Sequence, residues 1–172
     1  MDIGAAPRTQ RQNLDSTRPV LLYKSAMSLA AGDHSRPGLA QVMLSTRLIR
    51  ELGDPHSTLR ATAQRSGPAV IVRAGGDIDA ANEQTWLQLV GEASAVATPP
   101  GPFLVDVNDV EFMGCCAFEV LADEAQRCHG RGIALRVVSS NPSVARVIDA
   151  CGLDGLLPVH STTDAACAEA FA

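Results

Sequence analysis

The spacing of apolar residues changes along the chain, and each change marks a predicted element. Leu59, Ala61 and Ala63 alternate with polar residues, which is typical of a strand with one buried face. Four short, largely apolar runs bounded by turn residues predict further strands. These runs lie at residues 69–74, 103–107, 133–138 and 156–159.

Between these runs, apolar residues recur at the three- and four-residue spacing of helices that bury one side. The Pro99-Pro100 pair ends the first of these segments. Asn141 and Pro142 suit the cap and the first position of the third. The four predicted helices span residues 82–97, 115–128 and 141–151 and a C-terminal segment that begins near Ser161.

The predicted order of elements is β-β-α-β-α-β-α-β-α. It indicates an α/β fold with a mixed central sheet of about five strands and four α-helices. Strands that alternate with helices pair in parallel, so we expect a parallel sheet centre. The first two strands are joined by a turn at Ser66-Gly67-Pro68 and should pair as an antiparallel hairpin.

Residues 1–56 follow a different pattern. Residues 1–38 are rich in Arg, Ser, Thr, Gln, Pro and Gly and show little periodicity. We therefore expect an N-terminal extension that is largely disordered. A short helix can form over residues 42–52, where leucines recur at every fourth position. The folded domain is expected to span residues 57–172.

Charge and hydropathy argue against two classes of partner. The net charge is −5 and the sequence pI is about 5.3, and no basic stripe of the kind that binds nucleic acid is present. No run of about 18 apolar residues predicts a membrane span. The N-terminus lacks a basic segment followed by an apolar stretch, so we expect no secretion signal and a cytoplasmic location.

The five cysteines do not predict a disulfide framework or a zinc site. Their number is odd, no secretion signal is present, and no C-x-x-C spacing occurs. The simplest interpretation is reduced, mostly buried thiols, with no metal and no cofactor. The cysteines are Cys115, Cys116, Cys128, Cys151 and Cys167.

Four segments of this predicted domain resemble, in the same order, the STAS family of bacterial anti-sigma factor antagonists. Gly76-Asp77-Ile78-Asp79 is similar to the Gly-Glu-Leu-Asp signature that follows the family's second strand. Asn141-Pro142-Ser143-Val144 is similar to its Asn/Ser-Pro helix start. Residues 103–107 and 152–159 are similar to its central strand and its Gly-Leu-x-x-Leu ending. The resemblance covers residues 57–172.

The chain departs from the family pattern where the family's switch helix begins. The family typically has Phe-Ile/Met-Asp-Ser-Ser/Ala-Gly-Leu, whereas this chain has Phe112-Met113-Gly114-Cys115-Cys116-Ala117-Phe118. The phospho-accepting serine falls on Cys115 and the preceding aspartate on Gly114. Cys116, the candidate if the register shifts by one, also lacks a hydroxyl. A thiol is not a substrate for the usual serine kinase, so the phosphorylation switch is expected to be absent.

The resemblance implies an interaction protein rather than an enzyme. The expected partner is an anti-sigma factor of the GHKL kinase type, which releases a sigma factor when this protein binds it. The expected oligomeric state is a monomer or weak homodimer. The partner-binding surface should lie at the start of the switch helix and in two adjacent loops. Its expected residues are Gly114, Cys115, Cys116, Ala117, Phe118, Asp77, Asp79, Asn141, Pro142 and Ser143.

Two alternatives remain open at this point. In the first, the thiols provide redox control, because the positive end of a helix dipole can depress the pKa of Cys115 or Cys116. Cys128 and Cys151 are further redox candidates, although core packing is favoured for both, and Cys128 can also form a bridge to Cys151 or Cys167. In the second alternative, the domain is a sensor or scaffold subunit that binds a small ligand or partner proteins.

Overall fold

The computed structural model describes residues 40–170 and shows an α/β fold, which confirms the predicted class. It has six strands and five helices, rather than about five and four. The strands are β1 (Ala40–Gln41), β2 (Leu59–Ser66), β3 (Ala69–Ile78), β4 (Phe103–Met113), β5 (Leu135–Val138) and β6 (Val159–His160). The helices are α1 (Thr46–Leu52), α2 (Glu83–Ala95), α3 (Cys115–Gly130), α4 (Pro142–Ala150) and α5 (Thr163–Ala170). None of these described helices is long and apolar enough to cross a membrane.

The strands form one mixed sheet in the order β1-β2-β3-β4-β5-β6. The pairs β1–β2 and β2–β3 are antiparallel, and β3, β4, β5 and β6 are parallel neighbours, as predicted for the sheet centre. The parallel strands end at the same edge of the sheet. The connections to α2, α3 and α4 all leave from that edge, which is where α/β sheets usually carry their binding sites.

The two faces of the sheet bury clusters of different size. The main core contains the alternate side chains of the strands together with the apolar stripes of α2 and α3. Its largest buried member is Trp86, whose Nε1–H donates to the carbonyl oxygen of Ala117 at 3.2 Å and so joins α2 to the start of α3. The smaller cluster lies beneath α5. It contains Ala69, Ile71, Leu104, Val138 and Ala166.

Residues 40–56 belong to the folded structure, although the sequence pattern placed them in the extension. The Val42 N–H donates to the Ala63 carbonyl at 3.0 Å, and the Leu48 side chain is fully buried in the main core. The helix starts at Thr46 because the Ser45 hydroxyl caps it and accepts from the Leu48 N–H at 3.4 Å. Leu44 and Leu52, at helical spacing from Leu48, are half-buried against the same core, which explains why this segment is folded. The predicted disorder of residues 1–38 lies outside the described residues.

Strand β4 continues beyond the end of its neighbour β5. The pairing of β4 with β5 stops at Asp106 opposite Val138, whereas its pairing with β3 continues to Met113 opposite Ile78. Two register irregularities interrupt the longer pairing. The sequence pattern ended this strand at Val107, because the apolar run stops there and the polar Asn108 and Asp109 follow. The extra length carries the chain directly to the start of α3.

A glycine in β3 is required by the backbone. Gly76 has φ +80, and an added Cβ would lie 2.0 Å from the Thr58 carbonyl oxygen. We expect Gly76→Ala to lower the free energy of unfolding by at least about 2 kcal/mol, because the left-handed conformation and the clash both disfavour a side chain. Urea unfolding followed by circular dichroism measures this change.

The matched control is Gly91→Ala in α2, where an added Cβ meets nothing within 4 Å. Alanine favours a helix interior, so this substitution should raise the free energy of unfolding by about 0.5–1 kcal/mol. The same glycine-to-alanine change should thus lower the free energy of unfolding at one position and raise it at the other. An equal effect at both would contradict the backbone argument.

Candidate functional site

The candidate site lies where β3 and β4 end and α3 begins. The Gly114 N–H donates to the Ile78 carbonyl at 2.8 Å, which ties the end of β4 to the end of β3. Gly114 is the N-cap of α3, with an extended backbone at φ −72 and ψ 163 and no side chain to cap the helix. Cys115 is therefore the first residue of α3, as the sequence predicted for this helix start.

Only part of the predicted helix surface is accessible. The Cys115 side chain is exposed, and Gly114 and Cys116 are half-buried. Ala117 is fully buried and Phe118 is 3% exposed, so neither offers much surface at the helix start. Phe118 also lines a groove described below, and the role of both residues as partner contacts stays a prediction. Both residues lie on the apolar side of α3 that packs into the main core.

The first flanking loop, residues 77–82, is held by one amide side chain. Asn82 Nδ2 donates to the Asp77 carbonyl at 2.8 Å and to Thr58 Oγ1 at 3.0 Å, and Asn82 Oδ1 accepts from the Asp79 N–H at 3.1 Å. Asp79 itself accepts from the Ala81 N–H at 2.8 Å. A Cβ on Gly114 would lie 3.8 Å from the Asp79 Cα, so this loop lies against the start of α3. Sequence reasoning named Asp77 and Asp79 but missed Asn82, whose position just before a helix was the available signal.

The second flanking loop, residues 139–143, is held by β4. Asn108 Oδ1 accepts from the Ser140 N–H at 2.7 Å and from the Ser140 hydroxyl at 2.8 Å. Asn141 Oδ1 accepts from the Ser143 N–H at 2.9 Å and caps α4, with Pro142 as the first helical residue, as predicted. The Asn141, Pro142 and Ser143 side chains are exposed.

A groove joins the free length of β4 to the starts of α3 and α4. Its volume is about 140 Å³. Phe112 forms one wall and is 57% exposed, which is unusual for an aromatic side chain in this otherwise well-packed domain. Phe112 is also in register with Asp77 on β3, so it lies between the two flanking loops. The groove is lined by Val107, Val110, Glu111, Phe112, Met113, Phe118, Asn141, Ser143, Val144 and Val147.

The environment of Cys116 opposes thiolate formation. Burial raises the pKa of its thiol, and the carboxylates of Glu83 and Glu119 raise it further, while backbone N–H donors at the helix start lower it by less. The net shift is upward, so the expected depression of the Cys116 pKa is wrong. The helix dipole is outweighed here by burial and by carboxylates from two helices.

The remaining thiols differ in accessibility. Cys128 is fully buried, and burial is the main cause of its raised pKa, so it is a core residue rather than a redox site. Cys151 is exposed at the far end of α4. All the cysteines of the described chain are free thiols, so neither proposed bridge from Cys128 is formed. Within residues 40–170, no group of three His, Cys, Asp or Glu side chains could hold a metal ion.

Comparison with known proteins agrees with this architecture. Residues 60–166 match the family model of the STAS domain. A Mycobacterium tuberculosis protein named anti-anti-sigma factor Rv2638 is 60% identical over 123 residues, which is 72% of this chain and 83% of that protein. The anti-sigma-F factor antagonist RsfA of the same species is 53% identical over 110 residues, or 64% of this chain and 86% of that protein.

A solved structure shows the same fold. The crystal structure of an anti-sigma factor antagonist from Mycobacterium paratuberculosis superimposes with a TM-score of 0.57 and 26% sequence identity. The alignment covers 69% of this chain and 94% of that protein. The family match spans more than half of the chain and contains the strands and helices that form the site. The chain therefore belongs to the STAS domain family.

Proposed function

We propose that this protein is an anti-sigma factor antagonist that binds an anti-sigma factor of the GHKL kinase type and so frees a sigma factor. Its relatives carry the names of anti-anti-sigma factors and anti-sigma-F factor antagonists. The observation that carries the proposal is the exposed start of α3 at Cys115, between two loops held in place by hydrogen bonds. The protein acts by occupying its partner in the cytoplasm and performs no chemistry of its own.

The site is suited to binding because it is already ordered. Asn82 fixes one flanking loop and Asn108 fixes the other, each through two or more hydrogen bonds. A surface that is ordered before contact loses little conformational entropy on association. The partner-contacting residues proposed here are the accessible ones, namely Gly114, Cys115, Cys116, Asp77, Asp79, Asn141, Pro142 and Ser143.

We propose further that binding is not switched off by phosphorylation at this helix. A phosphate would add a charge of about −1.5 to −2 at an interface, which is enough to break a complex. Cys115 offers no hydroxyl at this position, and neither does Cys116. The protein is then constitutively able to bind. Redox control at the exposed Cys115 remains the alternative form of regulation, and equal thiol labelling with and without reductant would contradict it.

The size of the groove argues against a small-ligand sensor. Pockets for drug-sized ligands usually have volumes of about 300–1,000 Å³. The groove has about 140 Å³ and opens directly beside the exposed Phe112. These dimensions favour contact with another protein surface over enclosure of a metabolite, which supports the antagonist function over the sensor alternative.

The absence of a phosphorylation switch is directly testable. The wild-type protein, incubated with ATP and the anti-sigma-F factor of Mycobacterium tuberculosis, should gain no phosphate by mass spectrometry. The control is Gly114→Asp with Cys115→Ser, which restores the family pattern and should become phosphorylated. A Cβ on Gly114 makes only ordinary contacts, 3.4 Å to the Ile78 carbonyl oxygen, so this variant should fold. Stoichiometric phosphate on residues 112–121 of the wild type would contradict the proposal.

Thiol modification tests the position of the binding surface. Maleimide attached to Cys115 in a Cys151→Ala variant should weaken binding of the anti-sigma factor by at least about tenfold, because bulk at an interface core is poorly tolerated. The matched control is Cys115→Ala, in which the exposed Cys151 is modified at the far end of α4. Mass spectrometry locates the label and isothermal titration measures affinity. Equal weakening in both variants would count against this surface.

A further inference from the structure

The free length of β4 places an aromatic side chain on the surface. Beyond Asp106 this strand has a strand neighbour on one side only, because β5 ends at Val138. Phe112 stands on this length, more than half exposed, beside the groove. The other large exposed apolar side chains of residues 40–170 do not line the groove. They are Met43, Ile49 and Val96.

Six carboxylates border the groove and the start of α3. Glu83 and Glu119 both raise the pKa of the Cys116 thiol, so their field reaches this point. Glu111 lines the groove next to Phe112. The other three flank the paired ends of β3 and β4. Asp77 lies in register with Phe112, Asp79 lies beside Gly114, and Asp109 lies in register with Gly75.

This acidic border is not neutralised within the described chain. None of the six carboxylates makes an ion pair with another side chain of residues 40–170. The basic residues of α3, Arg127 and His129, lie in its last turn, away from the site. Two arginines lie nearby. Arg60 stands across β3 from Asp109, in register with Gly75, and Arg146 lies on α4 next to the groove-lining Val147. The α3 N-terminus adds only about half a positive charge, so the surface stays negative.

We propose that this acidic-bordered groove receives a single apolar side chain of the anti-sigma factor, set within a ring of arginine or lysine residues, with Phe112 as the anchor. The inference rests on the proposed function and adds the chemistry of the partner surface. An apolar centre enclosed by charges of one sign selects a partner with an apolar centre and charges of the opposite sign.

The dimensions and composition of the groove agree with this occupant. A volume of about 140 Å³ accommodates one large side chain and not a helix or a drug-sized ligand. Aromatic residues surrounded by groups that exclude water are the usual energetic centres of protein interfaces. The groove is also lined by Val110, Val144 and Val147, whose apolar side chains provide that shielding.

The test is the affinity of Phe112→Ala for the anti-sigma-F factor of Mycobacterium tuberculosis, measured by isothermal titration. We expect the dissociation constant to rise by at least about tenfold, because the anchor is lost. Phe112→Leu should recover part of the affinity. The side chain is mostly exposed, so both variants should keep the wild-type unfolding midpoint.

The matched control is Met43→Ala, which removes an even more exposed apolar side chain next to β1. It should leave the dissociation constant unchanged. Wild-type affinity in Phe112→Ala would overturn the anchor while leaving the proposed function intact. A wild-type protein that binds no anti-sigma factor would contradict the proposed function, and the inference would fall with it.

The attraction between the acidic border and the partner's basic ring is tested separately, by measuring the association rate of the two proteins. Raising the salt concentration from about 0.05 M to about 0.3 M shortens the Debye length and should slow association severalfold. Replacing Glu111 and Glu119 with glutamine should slow association at low salt and flatten this salt dependence. An association rate that is independent of salt, or identical in the double variant, would overturn the basic ring.

Discussion

The pairing of β4 with β3 beyond the end of β5 is the constraint on which the site depends. Through this pairing, β4 extends past the part of the sheet that it shares with β5 and leads directly into α3. At that point the Gly114 N–H donates to the Ile78 carbonyl. The same overhang exposes Phe112, provides Asn108 as the anchor of one loop and leaves room for the groove. A β4 that stopped with β5 would remove all of these features together.

The core determines which face of α3 remains available. Ala117 and Phe118 turn inward, and the bond from Trp86 to the Ala117 carbonyl fixes the rotation of the helix relative to α2. Cys115 is consequently exposed. Cys116 is half-buried, and both burial and the carboxylate of Glu83 raise the pKa of its thiol. Adjacent thiols at one helix start therefore differ in exposure.

The order of elements from β2 onward was predictable because each buried face follows a clear period, and the cap at Asn141 was readable from residue type. The length of β4 was not, because Asn108 and Asp109 interrupt its apolar run and its last residues are paired on one side only. The burial of Phe118 follows from its place on the apolar stripe of α3, whereas the family resemblance predicted a surface role for it. The raised pKa of Cys116 comes first from burial and then from the carboxylate of Glu83 on another helix, neither of which sequence spacing reveals.

The central claim is that a partner docks on the end of β4 and the starts of α3 and α4. Hydrogen–deuterium exchange of the free protein and of its complex with an anti-sigma factor tests this claim most directly. The account predicts new amide protection confined to residues 76–82, 108–118 and 139–147. Protection that appears instead along β1 and α1, with no change at the start of α3, would contradict it.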